Sequence, residues 1–414
     1  MRKIKKRGEK MTEDYRKIDK ELEKMLNEGY EQVPGLGVIV YKNNEEVYSK
    51  FIGERNIRKK LPMTRETRLR VASVSKMFTI FTIMELIECG KINLDEDASK
   101  YLGFELRNPN FAGEKITIRM LASHTSTLRD GEKYNFPLEK TLKESLNEEH
   151  FGKEDKKYFK YCNLNYGILG TIIENVTGKR FDIYQKENIL KKLEIKGDYV
   201  VGNLEKKEYE KLGALYQQKI SGKWQMRIDD YEKQPGREKI LINDEEKALK
   251  KYKIGSNATI FSPAGGLRIS FEEMAHALEM IMNSGQYKGK EILKRESLEQ
   301  MMTPQWIYNG KNGENYGVMN KYGLGMYKID GNSSARLCKN HEIDLIGHSG
   351  EAYGMISGLY FVPGTKDGVI FMINGEAIEP EGDKRSHGKF SEGYIWEENI
   401  MNPICEKILL GSVE

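Results

Sequence analysis

Ser73 and Lys76 stand three residues apart in RVASVSKMFTI (Arg70 to Ile80), and the lysine is the only charge between Arg70 and Glu85. Read as a helix from Ser73 to Cys89 ended by Gly90, the segment spreads Val74, Met77, Phe78, Ile80, Phe81, Ile83, Met84 and Leu86 over almost every face. Such a helix is buried nearly all round, and Lys76 lies one turn from Ser73 on the same face. Burial disfavours the ammonium form, so a lysine held there can take the proton of a serine hydroxyl. Free N–H groups at the helix start favour the negative charge that develops on the serine. The bland alternative has Ser73 capping the helix and Lys76 reaching for water. The spacing alone decides little, because it recurs at Ser386 and Lys389 in the polar loop EGDKRSHGKF, where no buried helix holds it.

Two further groups could complete such chemistry. FKYCNLNYGILGTIIENVTG sets Tyr161, Cys162 and Asn163 just before a helical pattern. A tyrosine there can assist proton transfer, and an asparagine amide can bind a substrate carbonyl. An aromatic anchor followed by a capping asparagine is the structural alternative, and Tyr41-Lys42-Asn43 repeats the spacing at a turn. IGHSGEAYG ends a strand-like run with His348, Ser349 and Gly350, where the glycine would let a substrate backbone lie close to the strand edge.

These residues need a scaffold. Tyr15, Ile18, Leu22 and Met25 mark an amphipathic helix over Thr12 to Asn27. GLGVIVYK and EVYSKFIG flank Asn43-Asn44-Glu45 as a β-hairpin. DLIGHSG, MISGLYFVPG and DGVIFMING form a three-stranded antiparallel meander, and Tyr394 to Leu410 closes the chain as a helix. Helical periodicity dominates between them, at Ile118–Ser123, Asn165–Thr177, Phe271–Asn283 and Arg295–Met302. The pattern predicts an α+β fold, an antiparallel sheet built from both chain ends and flanked by helices, with a mainly helical inserted domain. Residues 1–10 form a basic tail, 11–70 and 305–414 the sheet domain, and 71–304 the helical domain, with a charged peripheral excursion near 206–253.

Composition narrows the chemistry. Of 414 residues, 67 are Lys or Arg and 63 Asp or Glu, so the net charge of +4 gives no field for nucleic acid, and no such partner is expected. The start, MRKIKKRGEK, reads as a solvated end, with a weak contact to an anionic membrane surface as its functional alternative. No apolar stretch follows it as in an export signal, so the sequence as given reads as cytoplasmic, with export open where a leader has been removed. The apolar run MFTIFTIMELI is about half the ~20 residues needed to cross a bilayer. Cys89, Cys162, Cys338 and Cys405 lack metal-site spacing and read as reduced thiols. The six histidines show no ligand pairing, so no metal is expected.

The order Ser-x-x-Lys, Tyr-x-Asn, His-x-Gly resembles the serine β-lactamase and penicillin-binding protein superfamily. It is most similar to the class C β-lactamase-like branch, with its D-Ala-D-Ala carboxypeptidases, D-aminopeptidases and esterases. The likeness extends to Ile116–Leu128, Asn165–Gly178, Ser262–Gly285 and Lys321–Asp330, and covers roughly Gly35 to Gly375. The resemblance implies that Ser73 is acylated, Lys76 is its base and Tyr161 relays protons to the leaving group. Asn163, His348, Ser349, Gly350 and Glu351 would bind substrate, with the backbone N–H groups of Ser73 and Glu351 as the oxyanion hole. No cofactor is implied. The partner would be a small-molecule or peptide substrate: a β-lactam, a D-amino-acid peptide or a small ester. A promiscuous carboxylesterase and a non-catalytic penicillin-binding or scaffolding protein are the alternatives. His348 stands where class C β-lactamases usually carry lysine, which argues against efficient β-lactam hydrolysis. Glu351 takes a position commonly held by a small residue and could welcome an amine. Cys162 replaces a common serine and reads as a buried neighbour, and the resemblance makes His124 a structural core residue.

Overall fold

The computed structural model describes residues 2–27, 32–154, 157–218, 223–228, 249–340, 342–377 and 387–409. Asn43 and Asn44 both take positive φ, 52° and 68°, the backbone of a two-residue turn whose twist matches its flanking strands. That turn joins β1 (Gly35–Lys42) to β2 (Glu45–Asn56). β1 is buried on both faces, and its period-2 alternation feeds two separate cores. Leu36, Val38 and Val40 share one core with Ile18 and Leu22 of the N-terminal helix and Trp396 and Ile400 of the C-terminal one, whereas Ile39 belongs to the core that holds the Ser75–Glu88 helix.

Around this hairpin the described residues assemble nine antiparallel strands. β3 (Leu61–Pro62), β4 (Trp306–Ile307), β5 (Lys321–Tyr322), β6 (Tyr327–Ile329), β7 (Leu345–Ala352), β8 (Met355–Phe361) and β9 (Gly368–Ile373) follow in the chain, and their spatial order is β4-β5-β6-β7-β8-β9-β1-β2-β3. The two ends of the chain meet where β1 pairs with β9, Val38 opposite Phe371. β7, β8 and β9 are the expected meander.

The helical region lies between β3 and β4 in sequence. Its helices include Ser75–Glu88, Ile118–Ala122, Leu164–Thr177, Phe271–Met282 and Arg295–Met302. The expected helix over Ser73–Cys89 differs at its start: Ala72–Val74 form a 3-10 turn and the α-helix begins at Ser75. Ser73 does not cap it. A left-handed Ala72, at φ 44°, bends the chain before the helix can begin.

Several expectations change. The N-terminal helix runs Arg2–Asn27 and takes in the basic first residues, as the helix-favouring Lys, Arg and Glu residues there allow. The C-terminal helix is α only from Ile395 to Ile404 and widens to a π-turn over Cys405–Leu409, with Leu410 outside the described residues. Leu215–Gln218 and Trp224–Ile228 pair with each other, and the first also runs parallel to Gly375–Ala377 beyond β9. Cys338 and Cys405, 67 residues apart, form a disulfide with Cα atoms 5.7 Å apart, which corrects the reading of reduced thiols; Cys89 and Cys162 are free. Spacing could not reveal the pair, because packing of the C-terminal helix brings it together. Among the described residues no helix is long and apolar enough to cross a membrane.

Candidate active site

The short strand Arg68–Arg70 pairs antiparallel with Arg268–Ser270 and delivers the chain to the turn that carries Ser73. Ala72 in left-handed backbone costs about 1–2 kcal/mol. Its neighbours hold it: Val71 N–H donates to the Leu267 carbonyl at 2.9 Å, and the Ser357 hydroxyl donates to the Val71 carbonyl at 2.9 Å. The outcome is selective exposure, since Ser73 is the one residue from 71 to 84 that is not buried. Gly350 of β7 backs the same turn. A Cβ there would lie 2.6 Å from the Val71 carbonyl oxygen and 2.7 Å from the Ser73 nitrogen. The absence of a side chain at Gly350 thus lets β7 lie close against the turn that carries Ser73.

Lys76 is fully buried. Its Nζ lies 2.9 Å from Ser73 Oγ, 2.8 Å from Asn163 Oδ1 and 3.0 Å from the Ala264 carbonyl. The Tyr161 and Tyr166 rings lie 4.8 and 5.3 Å from the same nitrogen. Burial lowers its pKa to about 7, against the raising influence of Asp130. At neutral pH the amine is therefore poised between base and acid.

Tyr161 and Asn163 sit at the entrance to the Leu164–Thr177 helix. Burial holds the Tyr161 pKa well above the usual tyrosine value, with Ser73 acting against it, so it is a neutral phenol at pH 7. Asn163 accepts from Lys76 and donates through Nδ2 to Asp130 Oδ2 at 2.8 Å, while Asp130 Oδ1 accepts from Leu164 N–H at 2.8 Å. One carboxylate thus fixes which way the Asn163 amide points. Asp130 was missed in the sequence, where Asp130-Gly131 reads as an ordinary polar turn. Cys162 is buried, and burial, with the Asp130 carboxylate beside it, raises its thiol pKa well above the usual value.

On the opposite wall, β7 presents His348, Ser349 and Glu351 to a cavity of about 460 Å³ that also takes in Ser73, Tyr161 and Asn163. His348 is only 1% exposed and both ring nitrogens are engaged, Nε2 with the Tyr322 hydroxyl at 3.1 Å and Nδ1 with the Ser349 carbonyl. Burial, with Lys76 adding to it, lowers its pKa to about 3. The Ser349 hydroxyl accepts from Tyr327 at 2.9 Å. Glu351 stands at the cavity mouth, where burial raises its pKa. Tyr394 and Arg70 also line the cavity and carried no signal in the sequence. His124 is a buried core residue stacked on Tyr161 with ring centroids 4.3 Å apart. Ser386 of the second Ser-x-x-Lys spacing lies outside the described residues.

Among solved structures, the octameric penicillin-binding protein homologue from Pyrococcus abyssi superposes with a TM-score of 0.67 at 24% identity, covering 95% of this chain and 77% of that one. The D-amino acid amidase from Ochrobactrum anthropi SV3 gives 0.67 at 19% identity, covering 97% and 99%. Among curated relatives, the protein flp of Staphylococcus aureus (strain N315) is 32% identical over 192 residues, 44% of this chain and 38% of that protein. The chain therefore spans well under half the length of that relative. The sequence model of the family described as Beta-lactamase matches residues 21–392, and with the fold shared by these structures it places the chain in the beta-lactamase family.

Proposed function

We propose that the protein is a serine hydrolase that works through an acyl-enzyme on Ser73 and acts on an amide or ester. The observation that carries this reading is the fully buried Lys76 Nζ, 2.9 Å from the partly exposed Ser73 Oγ. Neutral Lys76 removes the Ser73 proton as Oγ attacks the substrate carbonyl carbon. The oxyanion is received by the Ser73 and Glu351 N–H groups, each such donor being worth ~2.7–4 kcal/mol to a transition state. The second Nδ2 hydrogen of Asn163, not used by Asp130, orients the scissile carbonyl group. Tyr161, which lines the same cavity as Ser73, passes the proton to the leaving amine or alcohol, and water releases the acyl group by the reverse path.

The D-amino acid amidase among the structural neighbours makes D-amino-acid amides the first substrates to try, with D-peptides and small esters beside them. β-Lactam turnover is expected to be slow, because the His348 nitrogens are occupied and its ring is neutral, where an ammonium would attract a carboxylate. Intact-mass analysis after exposure to a serine-reactive phosphonate, and separately to a penicillin, tests the mechanism. Wild type gains one adduct and Ser73→Ala none; an unlabelled wild type, or an equally labelled variant, removes the nucleophile assignment. Fast p-nitrophenyl ester turnover without cleavage of any D-amino-acid amide would mark a carboxylesterase instead.

A further inference from the structure

His348, Tyr322 and His124 form a buried chain that none of the chemistry above uses. Cys162 N–H lies 3.0 Å from His124 Nδ1, His124 Nε2 lies 3.2 Å from the Tyr322 hydroxyl, that hydroxyl lies 3.1 Å from His348 Nε2, and His348 Nδ1 meets the Ser349 carbonyl. The two ends admit one polarity only. A backbone N–H must donate, so His124 Nδ1 is bare and its proton sits on Nε2, given to the Tyr322 oxygen. A carbonyl must accept, so His348 carries its proton on Nδ1, and its bare Nε2 takes the Tyr322 proton. Every link then holds one proton and neither ring has a nitrogen to spare. Burial lowers the pKa of both imidazoles, which keeps each ring in the neutral form this order demands.

The chain ends mark its function. Cys162 is bracketed by Tyr161 and Asn163, and Ser349 lies on β7 two residues before Glu351. We propose that His348 is a positioning residue, not a substrate ligand, and that the Ser349–His348–Tyr322–His124–Cys162 chain sets the spacing between the oxyanion-hole strand and the Tyr161-Asn163 segment. The proposal rests on the acyl-transfer reading of Ser73 for its catalytic consequence, while the proton order stands on the hydrogen bonds alone.

The test uses the full chain labelled with 15N-histidine. At pH 7 long-range proton–nitrogen spectra place the His348 proton on Nδ1 and the His124 proton on Nε2; the opposite tautomer at either ring, or a doubly protonated ring, overturns the proposal. Kinetics on the best ester or amide substrate supply the functional arm. Tyr322→Phe, which removes the central hydroxyl and keeps the ring, lowers kcat on the order of tenfold with KM unchanged, the scale of one lost buried hydrogen bond. His348→Gln does the same, and the double variant is no slower than the slower single one, as expected of links in one chain. A raised KM with intact kcat in His348→Gln, together with an unaffected Tyr322→Phe, makes His348 a substrate contact and overturns the proposal. Absence of a Ser73 adduct in wild type would instead defeat the proposed reaction, and the tautomers would still decide the chain.

Discussion

Replacing Asp130 by asparagine separates what the lysine does from what merely holds it. Asp130 reaches Lys76 through Asn163, by two hydrogen bonds of 2.8 Å each. With the amide group between them the carboxylate lies roughly 7 Å from Nζ, where two unit charges at an effective dielectric of ~20 interact by about 2 kcal/mol. The carboxylate stabilises the ammonium, so its loss makes the proton easier to remove and pushes the lysine pKa below its present value of about 7. The acid limb of kcat/KM, which reports the free enzyme, therefore moves down by about 1.5 pH units in Asp130→Asn. The plateau falls as well, because an asparagine has one oxygen for the two donors, Asn163 Nδ2–H and Leu164 N–H, that the carboxylate now accepts. The assay is a pH–rate profile from pH 5 to 9 on an ester substrate whose leaving group does not titrate in that range. A plateau that drops while the limb stays, or a limb that moves to higher pH, refutes Lys76 as the group whose deprotonation starts the reaction.

Gly350→Ala sets a methyl 2.6 Å from the Val71 oxygen and 2.7 Å from the Ser73 nitrogen; it should cost about 1–3 kcal/mol in thermal unfolding and slow phosphonate labelling of Ser73. Lys76 binds its proton less tightly folded, at about 7, than unfolded, at its ordinary 10.5, so between those values the unfolded chain holds more protons and stability rises with pH. The stability difference between wild type and Lys76→Met, from urea unfolding, should accordingly grow in favour of wild type from pH 7 to 10, by at most about 1.4 kcal/mol per pH unit. Reducing Cys338–Cys405, which closes a 67-residue loop, should lower stability by about 4 kcal/mol on loop-entropy grounds, read as a drop in Tm with dithiothreitol.

What could be read in advance was local. The β1–β2 hairpin announced itself by alternation around Asn43-Asn44, and the β7–β9 meander by apolar runs cut by Pro363-Gly364 and Asp367-Gly368. Lys76 stood out because a single charge in an apolar helix needs a reason. Asp130 did not, since a carboxylate before glycine in a polar loop looks alike whether it faces water or an active-site amide. Tyr322 was equally silent; one tyrosine among 23 acquires meaning only when two histidines from distant segments close on its hydroxyl. The excursion hid its strands because Lys, Glu and Gln swamp the short alternation of WQMRI. The neighbours of Gly350 were hidden for a related reason. Sequence says that a side chain is missing there, not which neighbour fills the space.

The seam between β1 and β9 reaches beyond the finished molecule. Val38 emerges from the ribosome more than 300 residues before Phe371, its partner. At ~5–20 residues per second, synthesis leaves β1 without its neighbour for roughly half a minute, its apolar residues already made and its hydrogen bonds on that side unpaired. β2 can occupy only one of its edges, and the free edge is a template for any other strand. Cotranslational folding of this chain therefore favours early closure of the helical region, with the sheet zipping last. Chaperone dependence and inclusion-body formation during overexpression should trace to β1 and be relieved by slower translation or lower temperature.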